Sequence, residues 1–201
     1  MDTSLILASK SPRRAALLSK AGVEFIQVHP CEHAEAEHTD STDIRYLAVE
    51  NALSKARSVA DVYPDFPVLS ADTIVISPEG EVFGKPADEE DAFRILSSLS
   101  GTTHSVVTGI AFIWISRGIA KTHMEETRVT MRNMSREDIG RYIEDDKPFD
   151  KAGAYAIQEG ADEFVDHIDG DFSNVVGLPV NRVLEMIQTF CAKEGTGRHT
   201  V

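Results

Sequence analysis

The sequence predicts a mixed α/β fold arranged in two lobes. Segments with helical and with strand-like patterns of apolar residues alternate along the chain. Two long strand-like segments, 103–115 and 119–132, follow each other across a turn at Gly118, which is typical of an antiparallel hairpin. The 201 residues suffice to bury a large core, and no repeat, low-complexity tract or linker divides them. We expect one domain over 1–192 and a frayed polar tail over 193–201.

The N-terminal part of the chain predicts a strand, a helix, a second strand and a long helix. The apolar run 5–8 is typical of a buried strand. Ser11 is a good N-cap, and Pro12 suits the first position of the helix that follows. Residues 23–28 predict the second strand. Over 42–60 apolar residues recur at steps of three and four, which predicts an amphipathic helix.

Further strands and helices are predicted in the rest of the chain. Residues 67–77 have the strongest strand pattern, which Asp72 interrupts. Asp88 and Ser135 are well placed to cap two helices. The remaining predicted elements are a turn at Glu79 and Gly80, a helix ending at Gly101, the hairpin, a helix ending near Asp145, irregular strands and loops over 151–176, and a last helix that Pro179 opens and that runs to about Ala192.

Composition and charge exclude several classes of protein. The chain carries 20 Lys and Arg against 33 Asp and Glu, a net charge of −13, whereas a general nucleic-acid coat protein needs a basic surface. Two cysteines, Cys31 and Cys191, cannot form a disulfide framework, which favours a reducing compartment. No apolar run approaches the about 20 residues that span a bilayer, and no basic residue precedes the run 5–8 as in a signal peptide. We therefore expect a cytoplasmic protein without nucleic-acid or membrane partners.

A basic cluster at the start of the first helix has two possible interpretations. A helix N-terminus presents unpaired N–H groups and about half a positive charge. Arg13 and Arg14 add guanidinium groups suited to phosphate oxygens, and Ser9 and Ser11 add hydroxyl donors. These residues would form a phosphate site, or they are an ordinary helix start with solvated arginines. A P-loop is excluded because its G-x-x-x-x-G-K-[ST] motif is absent.

Four other residues differ from their surroundings. An acid inside an apolar strand, as Asp72 is, needs a partner, a metal or a cleft, although a structural hydrogen bond to a turn is the alternative. Lys55 lies on the apolar face of its helix, where it either snorkels to solvent or faces a cleft. Lys85 follows Gly84 in a turn that is either part of a phosphate site or plain surface. Gln158 offers the paired donor and acceptor that a nucleobase edge needs.

Several of these segments together resemble a known family. They are Leu7–Arg14 (LASKSPRR), Lys55-Ala56, Ala71-Asp72-Thr73, Gly84-Lys85-Pro86, Leu99-Ser100-Gly101, Asp150–Tyr155 (DKAGAY), Ile157-Gln158 and Val176-Gly177-Leu178-Pro179. Each motif alone is modest, but the ordered set spans nearly the whole chain. It resembles the Maf family of nucleotide pyrophosphatases, first associated with septum formation.

The resemblance implies a fold, a reaction and an assembly. The fold would be like that of the inosine-triphosphate pyrophosphatases, with a cleft between two lobes. The reaction would be hydrolysis of a nucleoside triphosphate to a monophosphate and pyrophosphate with a divalent metal, Mg²⁺ or alternatively Mn²⁺. Members of the family are commonly homodimers.

The resemblance also assigns roles to individual residues. Asp72, Lys55 and Lys85 would be catalytic, with Asp72 as the base. Glu32, or Glu35 as second choice, would bind the metal together with Asp72. The substrate-binding residues would be Ser9, Ser11, Arg13, Arg14, Thr73 and Gln158.

Three positions in the chain imply the substrate class. Arg13, Thr73 and Gln158 look like the branch that acts on dTTP and UTP, including modified uridine nucleotides, whereas the branch preferring 7-methyl-GTP has Trp in place of Arg13. Ala156 stands where the family usually has Gly, which narrows the base pocket. The alternatives are a pyrophosphatase for 7-methyl-GTP or another non-canonical nucleotide, and a nucleotide-binding regulator of cell division with little turnover.

Overall fold

A computed structural model describes residues 4–31, 43–158 and 160–191 of the chain, and the predicted tail 193–201 lies outside them. Within these residues it contains seven strands and six α-helices. In chain order they are β1 (Leu5–Ala8), α1 (Pro12–Lys20), β2 (Phe25–Val28), α2 (Tyr46–Ala60), β3 (Val68–Ile76), β4 (Val82–Phe83), α3 (Glu89–Leu99), β5 (Thr103–Trp114), β6 (Ile119–Met131), α4 (Arg136–Asp146), β7 (Val165–Asp169), α5 (Phe172–Val176) and α6 (Val180–Cys191).

All seven strands belong to one mixed sheet. The strand order is β2-β1-β3-β5-β6-β7, and β4 pairs with β3 beside this path. β1 is parallel to β2 and to β3, whereas β3, β5, β6 and β7 are successively antiparallel. The hairpin of β5 and β6 is the longest pairing. The prediction of a mixed α/β fold is confirmed.

Helices cover both faces of the parallel part of the sheet. On one face, α2 packs Ala52 and Ala56 against Ile6 and Ile113. On the opposite face, α1 and α6 pack around Leu7. Because both faces of β1 and β3 are buried, their sequences are nearly continuous apolar runs instead of alternating ones.

A second apolar cluster lies at the other end of β3. It joins Val75 of β3 to Phe83 of β4, Leu96 of α3, Ile139 of α4 and Phe164. The N-caps predicted for α3 and α4 are present, since the Asp88 and Ser135 side chains accept from backbone N–H groups in the first turns of these helices. This cluster packs β4, α3 and α4 against the end of β3.

The strand pairing of β3 leaves a gap. Pairing with β1 ends at Ala8 and Ser70, and pairing with β4 begins at Val75 and Phe83. Between them, residues 71–74 of β3 have no paired strand on that side in the described part of the chain. The gap opens the middle of the sheet to a cleft.

Glycine 109 allows α2 to lie directly on the sheet. Gly109 of β5 is paired with Asp72 of β3. A Cβ atom at Gly109 would lie 2.3 Å from the carbonyl atoms of Ala48 and 2.4 Å from the backbone nitrogen of Val49. The helix backbone therefore touches the strand, which brings the next turns of α2 close to the gap in β3.

Two segments differ in detail from the prediction. The long helix begins at Tyr46 instead of residue 42, after a turn in which Arg45 and Asp43 are joined at 2.7 Å (Nη2–Oδ2). The segment 151–176 contains the regular elements β7 and α5. β7 is an edge strand whose polar and apolar residues do not alternate regularly, so the sequence pattern did not predict its bounds. None of the helices in the described residues is long and apolar enough to cross a membrane.

Candidate active site

The gap in β3 opens into a cleft of about 800 Å³. Its walls come from the β1–α1 junction, α2, β3, the turn before α3, the segment 150–158 and the end of α5. All nine predicted site residues in the described part of the chain line it, namely Ser9, Ser11, Arg13, Arg14, Lys55, Asp72, Thr73, Lys85 and Gln158. Glu32 and Glu35 lie outside the described residues, and Pro30 and Cys31 before them line the cleft.

Asp72 and Lys55 form a buried ion pair in the cleft. The Lys55 Nζ lies 2.6 Å from Asp72 Oδ1, and both residues are less than a tenth exposed. Asn51, one turn before Lys55 on α2, donates from Nδ2 to Asp72 Oδ2 at 3.3 Å. Each carboxylate oxygen thus accepts a hydrogen bond from α2. The carboxylate is held in one orientation, as a base or metal ligand requires.

The start of α1 has the geometry of an anion site. Ser11 is the N-cap, and its Oγ accepts from the backbone N–H of Arg14 at 3.4 Å. The backbone N–H of Ser11 in turn donates to Ser9 Oγ at 3.1 Å. Pro12 has no N–H to satisfy at the first helical position. This helix start, with its partial positive charge, faces the cleft beside the Asp72 pair.

The two arginines of α1 point to different partners. Arg14 donates from Nε to the Gly177 carbonyl at 2.8 Å and from Nη2 to Thr73 Oγ1 at 3.0 Å. Arg13 reaches across the cleft, where its Nη1 lies 3.2 Å from Asp150 Oδ2. Arg14 is therefore held by its neighbours in one wall of the cleft, whereas Arg13 joins the start of α1 to Asp150.

Asp150 lies between two cations. Lys151 Nζ donates to Asp150 Oδ1 at 2.9 Å, and Arg13 binds the other oxygen. Partial burial acts to raise the pKa of the Asp150 carboxyl, but the Lys151 ammonium and the Arg13 guanidinium outweigh it and keep the pKa below its usual value. Asp150 stays ionised and links Arg13 to the segment 150–158.

Hydrogen bonds from the core hold this segment in place. The Ala156 N–H donates to Tyr142 Oη at 3.1 Å, and Tyr155 Oη is 2.8 Å from His104 Nε2. Burial lowers the pKa of His104 to about 4, so the imidazole is neutral at physiological pH. Gly153 donates from its N–H to the Gly84 carbonyl at 3.0 Å, which ties the segment to the turn that carries Lys85. Gln158 stands at the exposed end of the segment.

Asn51, Asp150 and Lys151 belong to the cleft or its supports but were not predicted as site residues, although Asp150 and Lys151 lie in one of the motifs that carry the family resemblance. The signal for Asn51 is its position four residues before Lys55, which places both side chains on one helix face. Asp150 and Lys151 form an acid–base pair in front of a run of Gly and Ala. The motif 176–179, for which the sequence predicted no role, contributes the Gly177 carbonyl that holds Arg14.

The described residues supply few metal ligands. No group of three or more His, Cys, Asp or Glu side chains in this part of the chain could hold a metal ion. Asp72 is a carboxylate ligand candidate inside the cleft. Mg²⁺ is commonly bound by one or two carboxylates together with water and substrate phosphates. The site therefore fits a Mg²⁺ ion bound together with a phosphate ligand better than one held by the protein alone.

The solved structures that this chain matches include two Ham1 proteins. A HAM1 protein from Coxiella burnetii has a TM-score of 0.45 and 20% sequence identity, over 64% of this chain and 73% of its own. The Staphylococcus aureus Ham1 protein has a TM-score of 0.44 and 17% identity, over 64% of this chain and 71% of its own.

Comparison of sequences gives much stronger similarity. A dTTP/UTP pyrophosphatase of Koribacter versatilis is 47% identical over 94% of this chain and 95% of its own. The dTTP/UTP pyrophosphatases of Symbiobacterium thermophilum and Dictyoglomus turgidum are 46% and 40% identical, over 92% and 94% of this chain and 93% and 97% of their own. Residues 4–190 match the family described as Maf-like protein. The chain belongs to the Maf family.

Proposed function

We propose that this protein hydrolyses dTTP and UTP to the nucleoside monophosphate and pyrophosphate. The observation that carries the proposal is the buried Asp72–Lys55 pair at the centre of a cleft whose other polar groups suit a phosphate chain. The relatives that are 40–47% identical over nearly the whole chain are named for this activity.

The charge of the cleft supports a polyanionic substrate. Although the chain has a net charge of −13, the described cleft residues include more cations than carboxylates. The cations are Lys10, Arg13, Arg14, Lys55, Lys85 and Lys151, and the carboxylates are Asp72 and Asp150. A nucleoside triphosphate in water repels an anionic or electron-rich nucleophile, and these cations neutralise that charge.

The reaction is attack of water on the α-phosphorus. The new bond joins the water oxygen to the α-phosphorus, the bond from the α-phosphorus to the oxygen that bridges to the β-phosphorus breaks, and pyrophosphate leaves. Asp72 accepts the proton of the attacking water and orients it. Arg14, Lys85 and the N-terminus of α1 stabilise the charge that develops on the leaving pyrophosphate.

The proposal includes a divalent metal, with Mg²⁺ as first choice and Mn²⁺ as second. Asp72 would hold it together with substrate phosphates, and Glu32 is the second ligand that the family resemblance implies. The metal would neutralise phosphate charge and polarise the phosphoryl group.

Gln158 is proposed to select the base. Its amide can donate to the O4 atom of uracil or thymine and accept from N3–H. A 7-methylguanine base is cationic, and ligand cations are attracted to the faces of aromatic rings, but Tyr155 is the only aromatic side chain among the described residues of the cleft. This favours dTTP, UTP and modified uridine nucleotides over 7-methyl-GTP.

The test of the reaction is pyrophosphate release from a panel of nucleoside triphosphates with Mg²⁺ and with chelator. We expect metal-dependent turnover of dTTP and UTP, and a loss of at least about 10²-fold in Asp72→Asn, because the base is removed while the shape is kept. Nucleotide binding by the folded variant, followed by protection against thermal unfolding, is the control. Near-normal turnover in folded Asp72→Asn, or binding without turnover by the unmodified protein, would contradict the proposal.

The test of base selection is Gln158→Ala. We expect the relative rates with dTTP, UTP and CTP to change, since the lost partner leaves a polar base edge unsatisfied. Inorganic tripolyphosphate should bind this variant as it binds the unmodified protein. Unchanged relative rates would remove Gln158 from base recognition.

The proposal also includes a cytoplasmic homodimer. The family resemblance supports the dimer, and the acidic composition with two cysteines supports the compartment. Light scattering after gel filtration tests the dimer, and a monomer at micromolar concentration would contradict it.

A further inference from the structure

We propose that Thr108 and Asn174, which lie outside the cleft, are positioning residues that set the orientation of Arg14 through the hydroxyl of Thr73. This inference rests on the proposed function in one respect only, namely that Arg14 binds substrate phosphate. It gives Thr73 a role at the phosphate end of the substrate and not at the base.

Thr73 points to the face of the sheet opposite to Asp72. Successive side chains of a strand alternate between the two faces, and the contacts of β3 follow this rule. Asp72 contacts Lys55 of α2 on one face, whereas Thr73 contacts Arg14 and the Gly177 carbonyl on the other. The carboxylate and the hydroxyl therefore act on different sides of the gap in β3.

A chain of hydrogen bonds leads from Arg14 into the core. Arg14 Nη2 is 3.0 Å from Thr73 Oγ1, which is 2.9 Å from Thr108 Oγ1. Thr108 Oγ1 is 3.5 Å from the backbone carbonyl of Asn174. The guanidinium can only donate, and the carbonyl can only accept. Thr73 Oγ1 therefore accepts from Arg14, and its one proton has two acceptors in reach, Thr108 Oγ1 at 2.9 Å and the Gly177 carbonyl at 3.4 Å. Donation to the nearer Thr108 leaves the Thr108 hydroxyl to donate towards the Asn174 carbonyl.

Asn174 fixes the far end of this chain. Its side chain is fully buried, and Nδ2 is 3.0 Å from the Val106 carbonyl of β5 and 3.0 Å from Thr127 Oγ1 of β6. Thr108 is also fully buried. The end of α5 is thus attached to the two longest strands of the sheet, and the Gly177 carbonyl lies three residues further on.

The Arg14 guanidinium is thus held through two of its three nitrogen atoms. Nε donates to Gly177 and Nη2 donates to Thr73, so the plane of the guanidinium is set by groups that the core holds. Arginine recognises phosphate through the direction of its N–H groups. Setting that direction before the nucleotide arrives removes an ordering cost from binding and aligns the charge with the leaving pyrophosphate.

The experiment compares Thr108→Val with Thr108→Ser. Valine keeps the size of the side chain but ends the hydrogen-bond chain, whereas serine keeps the hydroxyl. Affinity for inorganic tripolyphosphate, measured by calorimetry, reports on the phosphate site without turnover. Inhibition by thymidine reports on the base site.

We expect Thr108→Val to weaken tripolyphosphate binding about tenfold, on the scale of one hydrogen bond to a charged group. Inhibition by thymidine and the relative rates with dTTP, UTP and CTP should stay within about twofold, and Thr108→Ser should recover most of the tripolyphosphate affinity. In an Arg14→Ala background, Thr108→Val should have no further effect on tripolyphosphate binding, because the two residues then act through one contact.

Two results would overturn the inference. One is unchanged tripolyphosphate affinity in folded Thr108→Val, and the other is an equal loss of thymidine affinity. If Thr108→Val does not fold, Thr108→Ala removes the same hydroxyl with a smaller side chain and is measured in the same way. If the unmodified protein binds tripolyphosphate but shows no turnover, the proposed reaction fails while this inference is still tested.

Discussion

At the scale of single residues, charged side chains within apolar segments were the best guide to the site. An acid in a buried strand and a lysine on the apolar face of a helix predicted that Asp72 and Lys55 have a function, and they form the buried pair at the centre of the cleft. Asn51 and Asp150 could not be found in this way. Polar residues are common on helices and loops, so only the fold shows that these two hold Asp72 and Arg13.

His104 predicts an effect of pH on stability. Its pKa is about 4 in the folded protein because it is buried, whereas an unfolded histidine has a pKa of about 6.5. Below about pH 6.5 the unfolded chain binds a proton that the folded protein does not, so stability falls as the pH falls towards 4. The loss should be about 2 kcal/mol at pH 5 relative to pH 7.5.

Urea unfolding of the unmodified protein and of His104→Gln between these pH values measures the effect of His104. Glutamine can keep a hydrogen bond to Tyr155 but does not titrate. The difference in free energy of unfolding between the two proteins should therefore change with pH by the stated amount. A difference that is constant from pH 7.5 to 5 would show that the pKa of His104 in the folded protein is not lowered below that of an unfolded histidine.

At the scale of secondary-structure elements, most of the fold followed from periodicity and capping residues. The helices α3 and α4, the hairpin and β3 lie close to their predicted positions. The periodicity of apolar residues does not show how closely two elements approach each other. Gly109 inside a long strand was the available signal, since an isolated glycine in a strand often marks a close backbone contact.

Gly109→Ala should lower both stability and turnover. The added Cβ would lie 2.3 Å from the backbone of α2, so the helix must move, at a cost of about 1–3 kcal/mol or more for an overpacked core. Because α2 carries Lys55 and Asn51, its displacement should also reduce kcat. Thermal unfolding and pyrophosphate release measure the two effects.

Gly140→Ala is the matched control. Gly140 lies in α4 and is exposed, and a Cβ atom added there would meet no neighbouring atom within 4 Å. Alanine there should raise stability by about 0.5–1 kcal/mol and leave turnover unchanged. If Gly109→Ala were as stable and active as Gly140→Ala, α2 would not rest on the strand at this point.

At the scale of the whole molecule, an acidic protein is proposed to bind an acidic substrate. The net charge of −13 repels a triphosphate at long range, whereas the cations of the cleft attract it at short range. At physiological ionic strength charges are screened beyond about 8 Å, so the cleft cations decide the affinity. Total charge alone therefore predicts nothing about the substrate. The sequence predicted Arg13, Arg14, Lys55 and Lys85 as site residues, and only the fold shows that they line one cleft.

Salt should accordingly weaken the reaction. We expect kcat/KM for dTTP to fall about tenfold as NaCl rises from about 0.05 M to about 0.5 M, since screening weakens the short-range attraction. Inhibition by thymidine, which has no phosphate, should hardly change and serves as the control. A kcat/KM that rises with salt would mean that the overall negative charge governs substrate association.

The hydrogen bond between Arg14 and Gly177 has a consequence for how the protein becomes active during synthesis. The two residues are 163 positions apart, and the ribosome delivers Arg14 long before it delivers Gly177. A nascent chain can form β1, α1 and most of the sheet while Arg14 still lacks its carbonyl partner. The proposed phosphate site is therefore complete only after Gly177 has been synthesised, and chains terminated before Gly177 would contain Asp72, the proposed base, without a fixed Arg14.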